Sequence, residues 1–188
     1  PVTLRHHGTS EGLFTAITTG SEQFVVAGGD EVLQARAEGT DLVAVASYYR
    51  RYPVRVIVPG DSTITSIADL KGHTIGLPGK YGESWFGLLM ALKAAGLTTD
   101  DVTVQEIGYT QQAALATKKV DAIVGFVNSE PIQLAAAGIS AKVVELGNVP
   151  LVSIALVTTS AYATAHPDAR RTARRPAHHR HPAARLGR

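Results

Sequence analysis

Cysteine is absent from these 188 residues, which excludes disulfides, thiolate metal sites and cysteine-ligated iron clusters. Long apolar runs are missing too. Charges or glycines interrupt every hydrophobic segment well short of the ~20 residues that span a bilayer. The chain has neither a Walker A loop nor a G-x-G-x-x-G turn, so phosphate or dinucleotide binding has no motif behind it. G-x-S-x-G is also missing, and no acid–base pair stands out, so no catalytic residue is assigned. His6-His7 fits no common zinc spacing and reads as two histidines at a strand end. No metal and no cofactor are expected.

Acidic residues are missing from the basic C-terminal stretch. The last 19 residues, RRTARRPAHHRHPAARLGR, hold seven Arg and three His without a single acid. Taking those seven from the 18 basic residues leaves 11 against 16 acids, a body at −5 rather than the formal +2 of the whole chain. A nucleic-acid-binding body would carry a basic face. Only Arg174, Arg175 and Arg180 in the tail offer phosphate contacts, and no nucleic-acid partner is expected. No helical period survives after Arg170, so 170–188 reads as a disordered basic tail, and its histidines as adventitious metal binders at most.

What is present is a 45% hydrophobic chain, enough for one large domain or two small lobes. The most informative stretch is Lys71 to Leu97. A strand at Thr74 to Leu77 runs into a glycine turn, Pro78 to Gly82, and then a helix stopped by Gly96. Trp85, Leu88, Leu89 and Leu92 fall at i, i+3, i+4 and i+7 and share one helical face. Before it the spacing predicts strands at Val2 to Leu4, Gln23 to Ala27 and Leu42 to Ala46, with helices at Ser10 to Thr19 and Glu31 to Glu38. After it come strands at Val102 to Ile107, Asp121 to Phe126 and Lys142 to Glu145, with helices at Gln111 to Lys118 and Pro131 to Ala137. Two further strands, Pro53 to Val58 and Leu151 to Thr158, look like crossings between two α/β units. Continuous apolar strands between helices imply parallel-rich sheets covered on both faces. The expected division is an incomplete first lobe, 1–53 plus 150–169, and a second lobe, 54–149.

In open parallel sheets, ligands sit beyond the carboxyl ends of the strands. The turns there give the candidate binding residues. The first unit offers Ser10, Gly28, Gly29 and Asp30, with the Ser47-Tyr48-Tyr49 turn. The second offers Gly79, Tyr81, Gly82, Glu83 and Ser84, then Tyr109, then Asn128 and Glu130. Several have a structural alternative: Asn128 or Ser129 as a helix cap, Glu130 as a first-turn acid favoured by the helix dipole, the tyrosines as sheet-edge cover, Trp85 as core.

The segments DLKGHTIGLPGKYGESWFGLLMALKAAGLTTDDV and IGYTQQAALATKKVDAIVGFVNSEPIQL resemble the substrate-binding proteins of ABC importers, as does FVVAGGDEVLQARAEGTDLVAVASYYRRYPVRVIVP upstream. Within these the chain is most similar to pyrimidine-precursor (thiamine biosynthesis) and riboflavin binders, relatives of sulfonate, taurine and nitrate binders. The resemblance covers about Val2 to Asp168. It implies a two-lobed periplasmic-binding-protein type II fold that closes on a small-molecule ligand and delivers it to a membrane permease. It also implies that Asn128 and Glu130, from an Asn-x-Glu-Pro turn, hydrogen-bond the ligand with Tyr81 and the Gly79–Ser84 turn beside them. A heterocyclic vitamin precursor suits a carboxylate better than a sulfonate or nitrate does. A related group contains a pyrimidine synthase with a cysteine-rich iron motif, which a chain without cysteine cannot form. The resemblance implies a non-enzymatic monomer, periplasmic or a cell-surface lipoprotein in its full-length form; Pro1 leads directly into strand-like residues with no signal peptide, so the chain is expected to be either cytoplasmic or missing its beginning. Against the family pattern, the chain is expected to be truncated at its N-terminus and divergent or frame-shifted after Arg170.

Overall fold

The computed structural model describes residues 2–7, 12–49 and 51–168. Two sheets organise it. The smaller contains β1 (Val25–Ala27), β2 (Val43–Ser47) and β8 (Ala155–Thr158), in the order β1-β8-β2. The larger contains β3 (Val54–Pro59), β4 (Thr74–Leu77), β5 (Thr103–Glu106), β6 (Ala122–Phe126) and β7 (Ala141–Val144), in the order β5-β4-β6-β3-β7.

The two crossing segments have a distinctive place. β3 lies between β6 and β7 and pairs antiparallel with both. β8 lies between β1 and β2 and is antiparallel to both. The other strands follow the expected direction: β4 pairs parallel with β5 and β6. The sheets are therefore parallel in strand direction except where the chain crosses between them.

Burial follows the sequence pattern. In β3, Val54, Val56 and Val58 face one core while Ile57 faces another. In β6, Ala122 and Val124 face the first and Ile123 the second. A strand buried on both faces needs a continuous apolar run, which is what VRVIV and AIV supply. The one charge in that run, Arg55, pairs with Glu145 at 2.7 Å and donates to the Tyr52 and Val54 carbonyls. One face is covered by α3 (Gly82–Ala94), the other by α4 (Gln111–Ala116) and α5 (Glu130–Ala136). The smaller sheet packs Val25, Ala27, Ala155 and Val157 against Ile17 of α1 (Thr15–Thr18) and against Val32 and Ala35 of α2 (Gly29–Ala37).

Four local expectations change. Residues 2–4 form no strand. Val2 and Leu4 are 89% and 82% exposed, with no neighbouring strand to supply a ladder. The second crossing is a strand only from Ala155. Before it, Ile154 accepts from the Tyr48 N–H at 2.8 Å, and residues 151–153 run between the sheets. A sixth helix, α6 (Ser160–Ala165), follows β8, started by Thr159, whose hydroxyl accepts the Tyr162 N–H. The apolar face of α3 is centred on Leu88, Ala91 and Leu92, all essentially inaccessible, while Trp85 and Leu89 are only half-buried at its margin. Of the helix expected over Ser10 to Thr19, only Thr15–Thr18 is helical; residues 12–14 are not, and residues 10–11 lie outside the described residues, as does the tail after residue 168.

Leu88→Ala should cost about 3 kcal/mol, within the range for a buried leucine truncated in a core that relaxes incompletely. Urea unfolding checks this, with the half-buried Leu89→Ala expected to cost clearly less.

Candidate functional site

β4, β5 and β6 run parallel in one sheet, so the turns that follow them emerge on one edge. The β3 pairing brings the segment leading into that strand to the same edge, because Val54 lies opposite Phe126. In the smaller sheet Ala27 and Ser47 both lie opposite Ala155. The turns after β1 and β2 and the segment leading into β8 therefore also share an edge. The two edges meet at a seam.

Contacts across the seam are specific. The Asn128 side-chain N–H donates to the Tyr49 hydroxyl at 3.1 Å. The Tyr52 hydroxyl donates to the Glu83 carbonyl at 2.7 Å. A side chain on Gly28 would collide with the carboxyl of Glu83. One on Gly29 would stand 2.6 Å from Val152 Cβ and 2.9 Å from the Ser153 carbonyl oxygen. The glycine pair at the start of α2 is thus required for close approach: the turn packs against both α3 and the segment leading into β8.

Electrostatically the seam is acidic. Glu83, Asp30 and Glu31 converge there, and burial is the first cause raising the pKa of each. For Glu83 the neighbouring Asp30 and Glu31 add to it, and its pKa reaches about 8. Asp30 is partly offset by the Val152 backbone amide. Glu31 is partly offset by the Gly28 N–H, which it accepts at 3.2 Å. Burial, then the same three carboxyls, push the Tyr52 hydroxyl strongly up. Both Glu83 carboxyl oxygens, Asp30 Oδ2 and Ser153 Oγ are shielded from solvent and have no hydrogen-bond partner.

The remaining candidates lie along the edge of the larger sheet. The Tyr81 and Tyr109 hydroxyls approach to 3.5 Å, and that contact is the main reason the Tyr81 pKa is raised. Both rings are exposed. Gly79 lies under the Tyr81 ring, and Gly82 takes a positive φ of 62° that lets the turn run into α3. Ser84 faces inward and is buried. Glu130 is turned back on its own strand, accepting the Phe126 N–H at 2.6 Å with its side chain packed against Gly125. One of its carboxyl oxygens is thus held by its own strand. Ser129 holds the cap position of α5 without a side-chain capping bond. Ser10 lies outside the described residues. Lys80, beside the turn, sits 5.9 Å over the Trp85 ring.

Sequence reasoning did not single out Tyr52, Glu31 or Ser153. Tyr52 precedes the crossing proline, but its partner Glu83 is 31 residues away, a distance no local pattern reports. A separate open groove of about 630 Å³ lies between α1 and α6, lined among others by Ile17, Gln23, Tyr162 and His166. None of the candidate residues lines it. Among the described residues no group of three or more His, Asp or Glu side chains is arranged to hold a metal.

Two α/β units joined by two antiparallel crossings, with ligand-type turns meeting at the seam, define a periplasmic-binding-protein type II fold. Solved structures agree. The aliphatic sulphonate binding protein SsuA of Escherichia coli superposes with a TM-score of 0.68 at 24% identity, covering 82% of this chain and 53% of that one. The alkanesulfonate-binding protein SsuA of Xanthomonas axonopodis, bound to MOPS, gives 0.62 at 29% identity, covering 85% and 56%. Residues 2–177 match the family described as NMT1/THI5 like, and the chain belongs to that family. The riboflavin-binding protein RibY of Chloroflexus aurantiacus is 41% identical over 125 residues, 66% of this chain and 36% of that protein. The formylaminopyrimidine-binding protein of Halalkalibacterium halodurans is 31% identical over 101 residues, 53% of this chain and 30% of that protein. The chain thus spans about a third of the length of the curated relatives it matches.

Gly29→Ala should destabilise by about 1–3 kcal/mol, because the backbone carbonyl of Ser153 cannot swing away from the added methyl. Gly28→Ala should cost under about 1 kcal/mol, because the obstructing atom is the free end of Glu83. Thermal unfolding of the two variants side by side tests the difference.

Proposed function

We propose that this protein is the extracytoplasmic solute-binding component of an ABC importer. It holds a small heterocyclic vitamin precursor, of the hydroxymethylpyrimidine or formylaminopyrimidine type or riboflavin, in the cleft between the sheets and passes it to a membrane permease. On this reading it is not an enzyme, works as a monomer outside the cytoplasmic membrane, and divides into lobes at 53/54 and 149/150. The membership of the two sheets supports that division, since one takes its strands from 25–47 and 155–158 and the other from 54–144.

The observation that carries the reading is the chemistry of the seam within this family. Tyr49, Tyr81 and Tyr109 offer flat aromatic surface with hydroxyls, Asn128 an amide, and Asp30, Glu31 and Glu83 acceptors. Aromatic faces and acceptors suit a planar ring bearing N–H donors. The names of the riboflavin- and formylaminopyrimidine-binding relatives point the same way. A sulfonate ligand, favoured by the names of the structural neighbours, is the second reading. It would place an anion beside three carboxyl groups, an arrangement that electrostatic complementarity opposes. A pyrimidine synthase dependent on a cysteine-rich iron motif is the remaining alternative, and it is disfavoured because these 188 residues contain no cysteine.

A thermal-shift series with riboflavin, formylaminopyrimidine and an alkanesulfonate tests this directly. A true ligand at 100 times its Kd adds about 2.7 kcal/mol of stability. Riboflavin or the formylaminopyrimidine should raise the melting temperature and the alkanesulfonate should not. The reverse pattern would establish the second reading. For whichever heterocycle binds, Tyr81→Ala should weaken affinity by up to about tenfold, the value of one lost aromatic contact.

A further inference from the structure

We infer that Glu83 is a proton-operated latch between the two sheets of this protein: protonated, its side chain stays wedged against Gly28, and ionised, it drives the start of α2 away from the start of α3.

The geometry carries the inference. Glu83 belongs to the first turn of α3, on the larger sheet, yet its carboxyl lies directly against Gly28, which opens α2 on the smaller one. Both carboxyl oxygens are shut off from solvent and neither has a hydrogen-bond partner. A carboxylate in that position would lack water, a donor and a counter-ion, the costliest way to bury a charge. A carboxylic acid there costs far less.

The groups facing Glu83 are themselves acidic or neutral. From α2 they are Asp30 and Glu31, both acidic. From the segment leading into β3 it is Tyr52, whose hydroxyl is already committed to the Glu83 carbonyl. The segment leading into β8 contributes Val152 and Ser153 against Gly29, neither of them titratable. The neighbouring base in sequence, Lys80, is placed over Trp85. The N-termini of α2 and α3 favour an anion by about 0.3–2 kcal/mol each, against which burial and the two neighbouring carboxyls raise the group to about 8.

The direction of the pH effect follows from linkage. When the seam parts, Glu83 regains water and titrates near its ordinary 4.5. Between that value and about 8 the apposed state holds a proton that the parted state has lost, so raising the pH favours parting. For Glu83 alone the apposed-to-parted ratio should fall by up to about tenfold per pH unit across this window and level off above it. Asp30 and Glu31, also raised, act in the same sense.

Small-angle scattering of the ligand-free protein between pH 5 and 9 tests this without depending on the proposed ligand. The radius of gyration should rise with pH through the window and plateau above about 8. In Glu83→Gln, which keeps the shape and cannot ionise, the rise should be lost or much reduced. In Asp30→Asn, which removes one neighbouring charge, the Glu83 carboxyl of the apposed state is raised less, so the rise should level off at a lower pH and be smaller. A radius independent of pH in the unaltered protein would overturn the inference, as would an undiminished rise in Glu83→Gln. Should Glu83→Gln fail to fold, an unmoved transition in Asp30→Asn would overturn it as well. Absence of the pH response in the unaltered protein together with normal binding of a heterocycle would refute the latch and leave the binding role standing.

Discussion

Everything at the seam depends on the chain crossing between the sheets twice, each time by way of a strand set antiparallel between two other strands of its sheet. β3 is flanked on both sides by strands of the larger sheet, and β8 by strands of the smaller one. Each crossing strand is therefore fixed by two ladders and cannot slip without breaking both. Its first residue is fixed with it, and in both sheets that residue lies where the turns after the other strands emerge. A pair of sheets joined at an edge would have one flexible connection. Two such connections instead hold the two sets of turns face to face, and small groups at the interface, Gly28, Gly29, Tyr52 and Glu83, then decide how closely they approach.

This arrangement separates the residues that were legible in the sequence from those that were not. The turns could be located because strand, glycine turn and helix follow one another in register with the hydrophobic pattern, and ligand-type side chains then appear at predictable places. Gly79–Ser84, Tyr109 and Asn128 all emerge on one edge for that reason. The continuous apolar runs of β3 and β6 also announced sheets covered on both faces. What a local pattern cannot carry is a partner far along the chain. Tyr52 matters because of Glu83, Asn128 meets Tyr49, and Glu83 meets Gly28. Nothing in the sequence around any of them records the other. The same limit explains the error at residues 2–4, where a strand-like composition has no neighbour to pair with.

Glu130 and Glu83 make the contrast concrete. Both are acids in the first turn of a helix that follows a strand, and both admit the same dipole argument. In the structure they differ completely. Glu130 bends back to its own strand and takes the Phe126 N–H, so its carboxylate is satisfied locally and helps to shape the turn. Glu83 points across to the opposite sheet, where it meets Gly28 and the carboxyls of Asp30 and Glu31. Position in a motif thus says where an acid begins, and the crossing geometry says what it meets.

The acid-only seam also bears on ligand choice, if the cleft holds the ligand as proposed. A ligand arriving between the sheets must either satisfy the orphaned oxygens of Glu83, Asp30 and Ser153 or leave them buried without partners, and each group left unpaired costs about 1–3 kcal/mol. A ring with several N–H donors can meet them. An anion meets repulsion and an apolar molecule meets nothing. Discrimination of this kind comes less from attraction to the right ligand than from the penalty every wrong one incurs. It requires only that the acceptors be held in place before the ligand arrives. Two crossing strands and a close-packed pair of glycines are the means by which this chain holds them there.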